Sequence, residues 1–258
     1  MLFHSPGAEI VSIGPLTLRW YGLLIALGFY LSLQYATLLI RQRAHKQFND
    51  LEDFQNTAYI LLFAGIFGAR TWYVVLDWQY FSYNLLEIPQ IWHGGISIQG
   101  GIMGAFAAAF LIFAKEKEKI LFYLSALVSA LPLAQAIGRW GNFFNEEAFG
   151  AVCDLPWKLY ISHTGQYHHP TFLYESILNL MIFAILFLSN KYFYENSSKK
   201  DLCLIGIYLF LYSFVRFFLE AIRSDSLLIG GFAAAQLLAI IGMSVGALMT
   251  IINASNKN

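Results

Sequence analysis

An all-α polytopic membrane protein is the fold class this sequence predicts, with seven transmembrane helices, an outside N-terminus, a cytoplasmic C-terminus and a small extracytoplasmic cap. Three observations predict it. Hydrophobic residues fill 58% of the 258 positions and charged residues only 12%, about half the charge of a soluble domain. Seven stretches are apolar over roughly the 20 residues a helix needs to cross a hydrocarbon core. Basic residues gather in alternate connections between those stretches. The runs are continuously apolar rather than alternating, which disfavours a β-barrel.

The expected spans cover residues 16–40, 54–76, 94–114, 120–137, 172–189, 202–219 and 227–252, the fourth and sixth being short. Arg41, Arg43 and Lys46 follow the first span, Lys115, Lys117 and Lys119 the third, and Lys191, Lys199 and Lys200 the fifth. The intervening connections hold no Lys or Arg between Asp77 and His93, and only Lys158 in the longer stretch after Asn142. Positively charged loops stay cytoplasmic, and every connection agrees with one orientation. The opening MLFHSPGAEI lacks the basic and apolar regions of a cleavable signal peptide. Cys153 and Cys203 make no disulfide framework. A net charge of zero argues against a nucleic-acid partner held by a basic surface. Gly-rich AGIFGAR and GGIMG read as close helix packing.

Five arginines stand outside the basic loops: Arg19, Arg70, Arg139, Arg216 and Arg223. An arginine at mid-bilayer costs about 2.5–3.5 kcal/mol on insertion scales. Arg19, Arg139, Arg216 and Arg223 fall at the outer ends of their spans, where each alone would serve as a snorkelling anchor. Together, with Glu147, Glu175 and Glu220 nearby, they read as a polar cavity facing the outer leaflet. Arg216 and Glu220 also have the spacing of a structural i,i+4 pair, and Arg70 admits a similar structural role.

The densest polarity lies in GRWGNFFNEEAFG (138–150), directly after the apolar ILFYLSALVSALPLAQAI. Its glycines free the backbone to leave the helix and approach a ligand. Arg139 offers a planar fork of donors for a phosphodiester or carboxylate. Asn142 and Asn145 can orient neutral oxygens, and Glu147 can fix Arg139 or Arg223.

That stretch resembles the signature of the prolipoprotein diacylglyceryl transferases, which open bacterial lipoprotein maturation. LRWYGLL (18–24), GARTWYVV (68–75), WHGGISIQGG (92–101), HPTFLYES (169–176) and VRFFLEAIRSDS (215–226) resemble further family motifs in order and spacing. The resemblance implies a single transmembrane catalytic domain over residues 1–258, with an extracytoplasmic cap near 143–168 carrying the interfacial Trp157 and Tyr160. It implies transfer of the diacylglyceryl group of phosphatidylglycerol to the thiol of a lipobox cysteine near a preprotein's signal peptide. A thioether forms and glycerol 1-phosphate leaves. The implied partners are phosphatidylglycerol, the prolipoprotein lipobox segment and membrane lipids. The implied location is the bacterial inner (plasma) membrane, with the site facing the outer leaflet and no cofactor required.

Carried over by position, Arg139 is assigned to the lipid phosphate and Arg223 to phosphate or leaving-group stabilisation. Asn142, Glu147 and Tyr21 complete the catalytic set. Gly141, Asn145, Gly150, Gln99 and Gly95 join Arg139 as substrate-binding candidates. His169, Tyr174 and Glu175 are expected to shape the cavity rather than do chemistry.

The chain departs from the family at Gln99, where many members have His. A Gln amide cannot take up a proton at physiological pH. His93 is a candidate replacement base, although on a regular helix it would face another way. The alternative is that the arginine field lowers the substrate thiol's pKa. His163, His168, His169 and Asp154 match no metal-ligand spacing, so no metal is expected. A lipid or solute transporter or channel also places Arg and Glu within spans, but it predicts repeats or paired broken helices, and none is evident. An intramembrane protease needs a Ser–His or paired-Asp constellation, which is not seen either.

Overall fold

The computed structural model describes residues 3–14, 16–43, 51–114, 117–192, 199–223, 228–229 and 232–255. These form helices α1 (Trp20–Gln42), α2 (Leu51–Leu76), the single turn α3 (Trp78–Phe81), α4 (Ile98–Phe113), α5 (Lys117–Asn145), α6 (Thr171–Tyr192), α7 (Lys199–Glu220) and α8 (Ala234–Ser255). Short strands stand between them: β1 (Phe3–His4), β2 (Glu9–Ile13), β3 (Leu16–Arg19), β4 (Leu159–Ile161), β5 (Gln166–His168), β6 (Leu228–Ile229) and β7 (Phe232–Ala233). Among the described residues, six helices are long and apolar enough to cross a membrane, and α4 is a shorter apolar helix. Large apolar side chains such as Phe63, Phe67, Leu111 and Leu238 stand exposed on them. In water such a surface would aggregate; in lipid it is the solvated face.

Several expected boundaries move, each for a local reason. Residues 16–19 are strand rather than helix, because β3 pairs antiparallel with β2 and Gly14 turns the chain between them at φ 60°. Helix α4 starts only at Ile98, since Gly94 and Gly95 are left-handed at φ 93° and 77°. Helix α5 runs on to Asn145, so most of GRWGNFFNEEAFG is helical rather than loop. The last span is preceded by the β6–β7 hairpin, and α8 begins at Ala234.

The chain falls into two compact units. In the unit Ala44–Tyr123, α2 packs on α4 through glycines: a Cβ on Gly68 would lie 2.9 Å from the Gly104 Cα. In the unit Met1–Arg43 with Leu124–Asn258, Gly206 and Gly246 join α7 to α8, where a Cβ on Gly206 would meet the Gly246 carbonyl at 2.8 Å. The sequence reading of small residues as packing devices holds for AGIFGAR and GGIMG.

The same unit carries the hairpin β4–β5, with β1 added in parallel to β4. Phe143, Leu159, Ile161 and Phe172 form a buried cluster beneath it, packed by Phe3, Phe144, Phe149 and Leu173. This cluster fixes the end of α5 against the start of α6. At the other end of the unit, Arg43 reaches the Ser125 hydroxyl at 2.5 Å, the Asn190 carbonyl oxygen at 2.5 Å and Asp201 at 3.4 Å. Arg43 therefore caps a buried polar network among α1, α5, α6 and α7 rather than acting as a loop charge. Cys153 and Cys203 are both free thiols.

Candidate functional site

Three arginines converge on one carboxylate. Arg139 Nε lies 2.5 Å from Glu175 Oε2, while Arg216 Nη1 and Arg223 Nη1 lie 3.5 and 3.6 Å from Glu175 Oε1. Arg216 Nη2 also pairs with Glu220 Oε2 at 2.6 Å, one turn along α7. Glu175 and Glu220 are buried, at 4% and 5% exposure. Among the described residues, three guanidiniums face two carboxylates in a largely desolvated place, where charge interactions are strong. Glu147 is the residue expected to fix Arg139 or Arg223, but both arginines pair with Glu175. The reason is topological: the N-terminal end of α6 lies against the C-terminal ends of α5 and α7, whereas Glu147 lies beyond the end of α5. Glu175 is the residue that sequence reasoning underrated, and its signal was an acidic side chain near the N-terminal end of a long apolar helix.

Arg139 keeps part of its fork open. Its Nη1 donates to Asn142 Oδ1 at 3.3 Å, and its Nη2 engages no protein group among the described residues. Asn142 in turn donates from Nδ2 to Glu147 Oε1 at 2.8 Å, and Asn145 Nδ2 lies 3.4 Å from the same oxygen. Glu147 is exposed and has no ion pair among the described residues. Arg139, Asn142, Asn145 and Glu147 therefore form one hydrogen-bonded chain leading out from the Glu175 cluster.

The glycines expected to approach a ligand instead approach the protein. A Cβ on Gly141 would lie 2.5 Å from the Tyr21 ring, so Gly141 seats Tyr21 on α5. A Cβ on Gly150 would lie 2.7 Å from the His169 Cβ and 3.0 Å from the Ile222 carbonyl. There Gly150 forms an antiparallel bridge to Arg223, and the Ala151 N–H donates to Ile222 at 2.8 Å. Gly150 thereby ties the backbone of Arg223 to the segment after α5. The Tyr21 hydroxyl makes no hydrogen bond to protein among the described residues, although it lies within the electrostatic reach of Glu147 and Arg139. Arg19 ends β3 with an exposed side chain and joins no ion pair among them.

Gly95, Gln99 and His93 belong to the unit Ala44–Tyr123. Buried Arg70 organises their segment: Nε donates to Ile88 O at 2.8 Å, Nη1 to Gly94 O and Gly95 O at 2.7 Å each, and Nη2 to Glu87 O at 2.5 Å. Its guanidinium also packs over the Phe81 ring at 5.0 Å. These donors satisfy backbone acceptors that would otherwise be buried at heavy cost, which is a structural role. Gly95 has a Cβ position only 2.6 Å from the Tyr73 ring, so it too is explained by packing. Gln99 is exposed and accepts the Ser97 hydroxyl at 2.6 Å. His93 ends a short 3-10 turn (Ile91–His93) ahead of α4, so helical-face reasoning does not apply to it; its side chain lies outside the described residues.

In the β4–β5 region, His168 Nδ1 contacts the Gly150 carbonyl at 2.8 Å and Nε2 the Thr164 hydroxyl at 3.0 Å. His169 Nδ1 lies 3.4 Å from the Tyr174 hydroxyl, which accepts the Trp157 indole N–H at 2.9 Å. Lys158 pairs with Asp154, and its hydrogen bond holds the Asp154 carboxyl below the ordinary aspartate range. These side chains are committed elsewhere, and no metal-binding group of His, Cys, Asp and Glu occurs among the described residues.

Fold and site together define a polytopic helical membrane protein that carries a buried arginine–glutamate cluster, with an edge of the Arg139 guanidinium open among the described residues. The family model described as prolipoprotein diacylglyceryl transferase matches residues 8–252. The chain belongs to that family. It is 41% identical over 256 residues to the phosphatidylglycerol–prolipoprotein diacylglyceryl transferase of Acaryochloris marina, covering 96% of this chain and 90% of the relative. The transferase of the same name from Synechococcus elongatus is 41% identical over 256 residues, covering 95% and 87%. That of Fervidobacterium nodosum is 42% identical over 248 residues, covering 92% and 82%.

Proposed function

We propose that the chain transfers the diacylglyceryl group of phosphatidylglycerol to the lipobox cysteine of prolipoproteins. The observation that carries this reading, in a chain of this family, is the convergence of Arg139, Arg216 and Arg223 on Glu175. An anionic phosphodiester brings one negative charge to a cluster in which, among the described residues, guanidiniums outnumber carboxylates three to two. Arg139 binds the phosphate through its open edge, and Arg223 supports the leaving group. The cysteine thiolate attacks the glyceryl carbon that bears the phosphate; the C–S bond forms as the C–O bond breaks. The electron pair of that bond stays on the phosphate oxygen, and glycerol 1-phosphate leaves. Its phosphate gains charge in the transition state, where fixed donors lower the barrier most.

Asn142, Asn145 and Glu147 orient the neutral oxygens of the lipid beyond Arg139, and Tyr21 offers its hydroxyl to the headgroup. Gln99 orients lipid or peptide by hydrogen bonding. The thiol loses its proton in the positive field of the arginines, and His93 is the competing candidate base. Gly95, Gly141 and Gly150 act by positioning their neighbours.

The chain acts as one transmembrane catalytic domain with seven spans, its N-terminus and β4–β5 cap outside and its C-terminus cytoplasmic, in the bacterial plasma membrane. The arrangement of basic connections supports that orientation. Helix α4, of 16 residues, rises about 24 Å, and the non-helical residues 94–97 before it complete its crossing. The deciding experiment mixes detergent-purified protein with phosphatidylglycerol and a lipobox peptide. Mass spectrometry should find the diacylglyceryl thioether and one equivalent of glycerol 1-phosphate; absence of both overturns the proposal.

A further inference from the structure

Helix α5 ends in a turn that normally calls for glycine. The Glu146 N–H reaches the Phe143 carbonyl at 3.3 Å, and the Glu147 N–H reaches the Asn142 carbonyl at 3.0 Å. These are the paired bonds of a Schellman closure, whose C′ residue is left-handed. Glu146 occupies that place at φ 52°, a backbone conformation disfavoured for any residue with a Cβ. Both of its carboxylate oxygens are engaged. Oε2 accepts the Ser162 N–H at 2.9 Å and Oε1 the Ser162 hydroxyl at 2.8 Å, from the turn between β4 and β5. Ala148 is left-handed as well, at φ 54°, and its carbonyl accepts the Thr171 hydroxyl. Two strained residues thus flank Glu147. Such strain persists only where the surroundings hold it, and it concentrates at functional sites.

The closure bends the chain so that Asn142 meets Glu147 twice, by backbone and by its side-chain amide at 2.8 Å. We infer that Glu146 is a positioning residue: its left-handed backbone, clamped by Ser162, sets the Glu147 carboxylate on Asn142, and its own carboxylate takes no part in the chemistry. Two adjacent glutamates that look interchangeable in the sequence have separate tasks. The inference rests on the transferase reading of the site that Glu147 joins.

The prediction runs against chemical similarity. Glycine adopts φ near +52° without strain, so Glu146→Gly loses the clamp and also the need for it. Its kcat should stay within about twofold of wild type. Glu146→Ala loses the clamp and keeps the strain, so kcat should fall about three- to tenfold, with KM for phosphatidylglycerol changed less than about twofold. Ser162→Ala should lower kcat about two- to threefold in the wild type and have no effect in the Glu146→Gly background. Should Glu146→Ala fold poorly, Glu146→Asn replaces it, since Asn tolerates left-handed backbone, and it should match Glu146→Gly.

The assay is transfer to a lipobox peptide from phosphatidylglycerol micelles, with kcat and KM determined per folded protein. An inactive, folded Glu146→Gly protein makes the Glu146 carboxylate itself essential and overturns the inference. So does Glu146→Ala at wild-type rate, or a Ser162→Ala effect that is equal in both backgrounds. A wild type with no transfer fails the transferase reading, and the inference with it; an active wild type with any of the other outcomes removes only the role of the turn.

Discussion

Replacing Glu175 by Gln removes one of the two carboxylates that face three guanidiniums among the described residues, so the cluster becomes more positive by one charge. Removing one partner of a buried ion pair costs about 3–5 kcal/mol. Two circumstances reduce that here. The arginine side chains retain 11–23% of their exposure, and the amide oxygen of Gln still accepts a hydrogen bond from Arg139 Nε. A loss of about 2 kcal/mol is the expectation. At about 2–4 °C per kcal/mol for a chain of this size, the unfolding midpoint in neutral detergent should drop by about 4–8 °C. Phosphatidylglycerol should then raise the variant's midpoint more than the wild type's, because the bound phosphodiester supplies the missing negative charge. Transfer should fall roughly 10- to 100-fold, since a neutral amide holds Arg139 and its open edge less firmly than the carboxylate does. Tryptophan-fluorescence melts with and without phosphatidylglycerol, beside transfer rates, measure all three quantities. A Glu175→Gln protein with wild-type midpoint and wild-type rate would refute the account of the cluster.

Arg139→Lys should be nearly as damaging as Arg139→Ala, because Lys keeps the charge and loses the fork; both should cost about 100- to 1,000-fold in transfer rate. Gln99→Ala should lower activity modestly and Gln99→His should be tolerated. In the same pH–rate series, a His93→Ala protein that is inactive near neutrality but recovers at high pH would make His93 the base. Gly150→Ala places a methyl 2.7 Å from the His169 Cβ and 3.0 Å from the Ile222 carbonyl, so it should shift the backbone at Arg223, lower the midpoint and slow transfer together. A membrane-impermeant thiol reagent should label a cysteine at position 84 but not one at position 117 in intact cells, and the reverse pattern overturns the orientation.

The fold was legible wherever it depends on properties that add along the chain. Apolar length is such a property, so six long helices and α4 all appear where continuous apolar runs place them. Helix ends are not, because a neighbour decides them. Gly138 and Gly141 read as helix breakers, yet they stay helical because α1 lies against them: a Cβ on Gly138 would meet Ile25 at 3.2 Å and one on Gly141 would meet Tyr21 at 2.5 Å. The strand at 16–19 likewise exists only because β2 folds back on it.

The site divides along the same line. Arg139, Asn142, Asn145 and Glu147 lie within one helix end and the turn after it, so their proximity was visible in GRWGNFFNEEAFG, and the structure links them as a hydrogen-bonded chain. Which carboxylate balances the arginines depends on how α5, α6 and α7 pack, and no local spacing separates Glu175 from Glu147. Arg43 carries the lesson furthest. Counted along the chain it is one more positive charge in a basic connection, yet its guanidinium lies against Ser125, Asn190 and Asp201. Asp201 is only 7% exposed, and leaving it without its cation would be far more costly than exposing Arg43 to water. That segment's positive charge toward the membrane surface therefore rests on residues such as Arg41, which is exposed, and not on Arg43. The position of a charge in a sequence bears on orientation; what the charge does is set by the partner that the fold brings to it.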